Sequence, residues 1–188
     1  MSTATASAGC SGGGDDKKNA AGQTTTPEGK PAFSFNITAA EVQSPAAQPP
    51  PFPGDVLVAV KSTLDTWLAN GIAGPLQTGK PPAGLENVFT GAAAGRLAIG
   101  QPDRLTLLEE GTPMSGKVKQ DRANVKFTAL LDAAGAATVV VAQVDFAVTV
   151  DARDDKLTSA RTGEVTLVFD NNAWRIDAFD LRTARDSA

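Results

Sequence analysis

The sequence predicts an α+β domain, with N-terminal helices packed on a curved antiparallel sheet of four or more strands. Three observations predict it. Apolar residues recur every three or four positions from Val56 to Ile72, they alternate with polar ones from Lys117 onward, and short turn-rich links separate the alternating runs. The chain has 188 residues, which suits a single domain at 54–188 preceded by a tether at 1–53.

Residues 1–53 carry seven of the twelve prolines, and Ser11 to Lys30 contain no large apolar side chain. Such a stretch cannot bury enough surface to offset its ordering entropy and is expected to be disordered. Pro49-Pro50-Pro51-Phe52-Pro53 reads as a stiff, extended spacer. Between the two, Phe33, Phe35 and Ile37 alternate, which predicts one short strand or surface arm over 32–38.

From Gly54 the pattern turns helical. Val56, Val60, Leu64, Trp67, Leu68 and Ile72 share one face, with Asp55 as the expected N-cap and Gly71 as the expected stop. Gly74-Pro75 and Gly79-Lys80-Pro81-Pro82 then break the chain. A second helix is expected from Leu85 to Leu97 and a short third from Pro102 to Glu109. After Gly111 the period becomes two. Ala123, Val125, Phe127, Ala129 and Leu131 share one face of a first strand, with Arg122, Asn124, Lys126 and Thr128 opposite. Val140, Ala142, Val144, Phe146, Val148 and Val150 share one face of the next, opposite Val139, Val141, Gln143 and Asp145. Gly163, Val165, Leu167 and Phe169 form a third set, and Trp174, Ile176 and Ala178 a fourth. The connectors around Asp132-Ala133-Ala134-Gly135, Asp151–Asp155 and Asp170-Asn171-Asn172 predict tight turns, hence an antiparallel meander.

Composition removes several function classes. There is no His, which excludes His-based acid–base chemistry, His-dependent nucleophile systems and His metal ligation. A single Cys excludes an internal disulfide and Cys-cluster metal sites. With 17 Lys and Arg against 21 Asp and Glu, the concentrated basic face of a nucleic-acid binder is not expected. No metal or cofactor is expected. Asp151, Asp154 and Asp155 lack the spacing and glycine of an EF-hand loop and read as a solubilising turn.

The run Ser7-Ala8-Gly9-Cys10, followed by Ser11-Gly12-Gly13-Gly14-Asp15-Asp16, resembles the processing site of a bacterial lipoprotein. The resemblance implies that Cys10 is lipidated and that the domain stands at the extracytoplasmic face of the cell membrane, held by a lipid anchor alone. Met1 to Ala6 is too short and polar to be an export leader, so either the true start lies upstream or a signal has been trimmed away. Without lipidation, Cys10 is a free thiol in a tail and the protein is secreted or cytoplasmic.

The order of helices followed by long antiparallel strands, ending in Trp174-Arg175-Ile176, resembles the nuclear transport factor 2-like fold, which also holds ketosteroid isomerase. Tether plus domain resembles exported lipoproteins of high-GC Gram-positive bacteria. The fold implies a cone whose mouth binds small apolar molecules, so Val139, Val141, Gln143, Asp145 and Arg175 are the candidate ligand-binding residues, lining either the cone or solvent. Asp145, in mid-strand between Val144 and Phe146, is the candidate carboxylate. It is either a general base with its pKa raised in an apolar pocket, or a solvated group paired with Lys126 or Arg175. Isomerases of this fold pair their base with a Tyr and dehydratases use His; this chain has neither residue, so neither catalytic set carries over. Asp177, Asp180, Arg175 and Arg182 read as the polar face of the last strand. The expected function is a non-catalytic domain binding a small apolar ligand or a cell-envelope protein. An isomerase or dehydratase using Asp145, and a purely structural envelope module, are the rivals.

Overall fold

The computed structural model describes residues 32–44, 48–109, 115–153 and 155–187. Residues 1–31 of the tether, with Cys10, and residues 45–47 lie outside them, whereas 32–44 and 48–53 are described. The architecture is α+β, with one five-stranded mixed sheet in the order β1-β2-β3-β4-β5 and helices on one of its faces. Strand β1 (Asn36–Gln43) comes first, then α1 (Gly54–Thr66), a π-helical stretch (Trp67–Ala73), α2 (Gly74–Thr78), and the short α3 (Gly91–Gly95) and α4 (Arg104–Leu107). The long strands β2 (Lys117–Leu131), β3 (Ala137–Ala152), β4 (Asp155–Asp170) and β5 (Ala173–Ser187) follow as the antiparallel meander.

The expectation of a purely antiparallel sheet is corrected by β1, which lies parallel to β2. The strand expected at 32–38 thus runs over 36–43 and belongs to the sheet. A parallel neighbour needs a long crossover, and the α1 region supplies it. The strap before β1 is pinned at the adjacent residues Ser34 and Phe35. Phe35 N–H donates to Asp65 Oδ1 at 2.7 Å, and the Gln120 side chain exchanges two 3.0 Å hydrogen bonds with the backbone of Ser34. These bonds deliver Phe33 and Phe35 into the core.

The first helix buries the face its spacing predicts, with Val60, Leu64, Trp67, Leu68 and Ile72 fully enclosed. Its ends differ from expectation. Pro53, not Asp55, is the N-cap, and no side chain caps it. Gly71 does not stop the helix, which continues to Thr78 through a π-helical register in which Gly74 N–H reaches Ala69 O. Pro75 explains this. It has no N–H to give the Gly71 carbonyl, which is instead taken by Glu109 N–H at 3.0 Å. Gly71 itself is needed for close approach, because a Cβ there would stand 3.0 Å from the Trp67 ring and 3.1 Å from Leu108 Cδ2.

The second helix expected over Leu85–Leu97 shrinks to the five residues of α3. Val88 and Thr90 instead bridge the free edge of β5, through Ile176 N–H to Val88 O at 2.8 Å and Thr90 N–H to Ile176 O at 2.9 Å. An open strand edge outcompetes a weak helix start rich in Gly and β-branched residues. Thr90 then caps α3 by accepting from Ala93 N–H. The third helix expected over 102–109 is present only as α4.

Phe146 is the hub of the layer between helix and sheet. Phe35 and Trp67 both meet it edge-on, with centroids 5.6 and 5.4 Å away. Trp67 and Trp174 belong to the same buried cluster. Gly163 lies at the centre of β4, where only glycine fits: its φ is +150°, and a Cβ would lie 2.1 Å from Asp180 O on β5. Among the described residues, no helix is long and apolar enough to cross a membrane.

Candidate functional site

With the helices on one face, alternate residues of the strands are left on the other. At its centre, registry sets Asn124, Asp145, Thr162 and Arg182 in one row across β2 to β5, and Lys126, Gln143, Glu164 and Asp180 in the next. A shallow, open depression of about 440 Å³ lies between these rows, lined by Asn124, Lys126, Gln143, Asp145, Thr162 and Glu164. Gly163 also lines it.

Hydrogen bonds and ion pairs knit this surface. Arg122 Nε donates to Asp145 Oδ1 at 2.8 Å, with both side chains nearly half exposed, and the Thr162 hydroxyl donates to the same oxygen at 3.3 Å. Gln143 Nε2 donates to Glu164 Oε1 at 3.2 Å. Lys126 Nζ pairs with Glu41 of β1 at 2.7 Å, and that hydrogen bond holds the Glu41 carboxyl below its ordinary range. The partner of Asp145 is therefore Arg122, not Lys126 or Arg175. Lys126 is taken by Glu41, and Arg175 sits at the far end of β5 beside Asp170, 3.6 Å away, and Asn87.

Of the sequence-selected residues, Gln143 and Asp145 line the depression, while Val139 and Val141 continue the same face of β3 toward the β2–β3 turn. Arg175 is not brought to them. Asp145 stands on an open surface with an arginine beside it, rather than in an apolar enclosure. Asp177 is occupied as an acceptor for the Thr90 hydroxyl at 2.8 Å. An exposed pair such as Arg122–Asp145 contributes little to folding. Asp145→Asn and Arg122→Gln are each expected to change unfolding free energy by less than about 1 kcal/mol in urea titrations.

A β-bulge between Gln120 and Arg122 leaves Asp121 as the extra residue of β2. Its carboxylate accepts from the Thr149 hydroxyl at 2.6 Å, which, ahead of Lys119, holds the Asp121 carboxyl below the usual carboxylate range. A depressed carboxyl stabilises the fold above its unfolded pKa, and that stability is lost as pH falls through the lower folded value. Thr149→Val is expected to move the Asp121 titration upward in carboxyl-carbon NMR, and to shrink the part of the stability that is lost on acidification between the unfolded and folded pKa of this group.

A second cluster, on the helix side of the sheet, escaped sequence reasoning. Arg161 of β4 and Glu109, which follows α4, are both fully buried and lie 3.1 Å apart. Arg161 also donates to Thr106 O at 2.7 Å, Ser159 Oγ at 3.0 Å and Leu105 O at 3.3 Å, and its guanidinium lies 5.9 Å from the Phe146 ring centre. The other Glu109 oxygen is held by Arg185 Nη2 of β5 at 2.6 Å, and the Ser159 hydroxyl donates to the first. Burial pushes the Arg161 pKa down, and the Glu109 carboxylate opposes that shift. The signal was present in the alternation. Extending the set of Gly163, Val165 and Leu167 backward puts Arg161, Ser159 and Leu157 on the covered face.

No family model, curated protein or solved structure matches the chain.

Proposed function

We propose that the chain is a non-catalytic recognition domain, held at the extracytoplasmic face of a membrane through Cys10, that binds a cell-envelope protein through the uncovered face of its sheet. The observation that carries this reading is the contrast between the two faces. The helix side is filled by Trp67, Phe146, Phe35 and Leu64, whereas the other side offers the depression around Gln143, Asp145 and Glu164 without any rearrangement. Charges of both signs at that surface suit a polar protein partner, and complementarity there would set orientation and encounter rate. We further read the domain as a nuclear transport factor 2-like cone. A helix laid across an antiparallel meander whose last strand carries Trp174-Arg175-Ile176 supports that reading; the parallel β1 is an addition to it.

The tether is tested by fractionation. Expressed behind a lipoprotein export leader in a high-GC Gram-positive host, the wild type is expected to partition into detergent and Cys10→Ser to be released. Equal solubility and equal export of the two would overturn the anchor. A linker of this composition has an r.m.s. span of roughly 5–6 Å times the square root of its length, enough to lift the domain clear of lipid headgroups.

A further inference from the structure

We propose that Glu109 and the two leucines before it are an internal pseudo-ligand, occupying a site on the helix side of the sheet that takes an amphiphilic carboxylate. This is a second site, independent of the outer-face reading. The segment Leu107-Leu108-Glu109 has the chemistry of such a molecule. Two leucine side chains, Leu107 fully and Leu108 almost fully buried, form an apolar part, and a buried carboxylate forms the head.

The receiving groups belong to the rest of the fold. Two guanidinium groups converge on the one carboxylate, Arg161 on Oε1 at 3.1 Å and Arg185 on Oε2 at 2.6 Å, with the Ser159 hydroxyl as a third donor. Two cations facing one buried anion make a receptor for a carboxylate, because charge-assisted donors in a low-dielectric layer favour an anion strongly. Trp67 is the wall for the apolar part, and its indole N–H donates to Leu107 O at 2.6 Å.

The way the segment is held makes it exchangeable. Among the described residues, the single turn of α4 is the only regular structure that retains it. It is fastened by the Trp67 side chain on the Leu107 carbonyl, by Arg161 on the Thr106 and Leu105 carbonyls just before it, and by the bond from Glu109 N–H to the Gly71 carbonyl that Pro75 leaves free. The residues preceding it, Ala98 to Pro102, are exposed, with Gly100 at φ +87°. A carboxylate with an alkyl chain would displace Glu109 from the arginines and the leucines from the apolar layer, swinging the segment outward.

The test uses the full chain with dodecanoate and its uncharged counterpart dodecanol, both below micellar concentration. Glu109→Gln keeps the shape of the head but removes its charge, leaving the arginines without a counterion. This variant is expected to bind dodecanoate at least about tenfold more tightly than the wild type does, and more tightly than it binds dodecanol, by equilibrium dialysis. A folded Glu109→Gln protein that binds dodecanoate no better than wild type would overturn the proposal. A measurement on the wild type needs no folded variant. Saturating dodecanoate, but not dodecanol, is expected to accelerate amide exchange at Leu108 and Glu109 by more than about tenfold, as their bonds to Arg104 O and Gly71 O open. Unchanged exchange would overturn the proposal whether or not the variant folds.

Discussion

Glu109→Ala is expected to destabilise the fold by about 3–5 kcal/mol, the usual cost of stranding a buried charge by removing its partner. Arg161 would keep its contacts to Thr106 O and Leu105 O but lose the carboxylate that opposes its desolvation. The cost arises from the group left behind, so it should largely disappear when both charges go. Glu109→Ala with Arg161→Met is expected to be clearly more stable than Glu109→Ala alone. Urea unfolding of the two single variants and the double variant measures this directly. A loss below about 1 kcal/mol for Glu109→Ala would mean that water reaches Arg161 and that the pair behaves as a surface one.

Trp67→Ala is expected to cost about 3–5 kcal/mol, from lost burial and the cavity left against Phe146. It should fall at the upper end of that range, because the Leu107 carbonyl also loses its indole donor. Trp67→Phe separates the two contributions. It keeps an aromatic ring against Phe146 but leaves the carbonyl unpaired, for an expected cost of about 1–3 kcal/mol. If Trp67→Phe were as damaging as Trp67→Ala, the hydrogen bond rather than the packing would dominate at this position.

What could be read in the sequence follows from how local each signal is. The apolar face of α1 and the inward sets of β2 and β3 are local periodicities, and the burial of Val60, Leu64, Val125, Phe127, Val144 and Phe146 follows them. The β4–β5 turn was also local: Asn171 and Asn172 both adopt positive φ, as a tight hairpin requires. The continuation of the helix past Gly71 was not local, because the carbonyl stranded by Pro75 is satisfied by Glu109 from a distant segment. Nor was the fate of Val88 to Thr90, which an edge strand recruited from a helix-like stretch. The same reasoning covers the surface. Asp145 could be placed on the polar face of β3, but its partner depended on β1. Once Glu41 engages Lys126, the remaining diagonal neighbour on β2 is Arg122. Arg161 was within reach of the pattern, since it continues the inward phase of β4. Its partner Glu109, on a segment without regular structure, had no periodic signal at all.

Recognition through the outer face of the sheet is tested most directly by site-specific photo-crosslinking in envelopes of a high-GC Gram-positive host. A benzophenone side chain at Gln143 would sit in the outer depression, and one at Ser62 on the exposed side of α1. The expected result is a discrete protein adduct from Gln143 and none from Ser62, with the Gln143 adduct lost when Arg122 is changed to Glu. Adducts of equal yield at both positions, or an adduct at Ser62 alone, would contradict it.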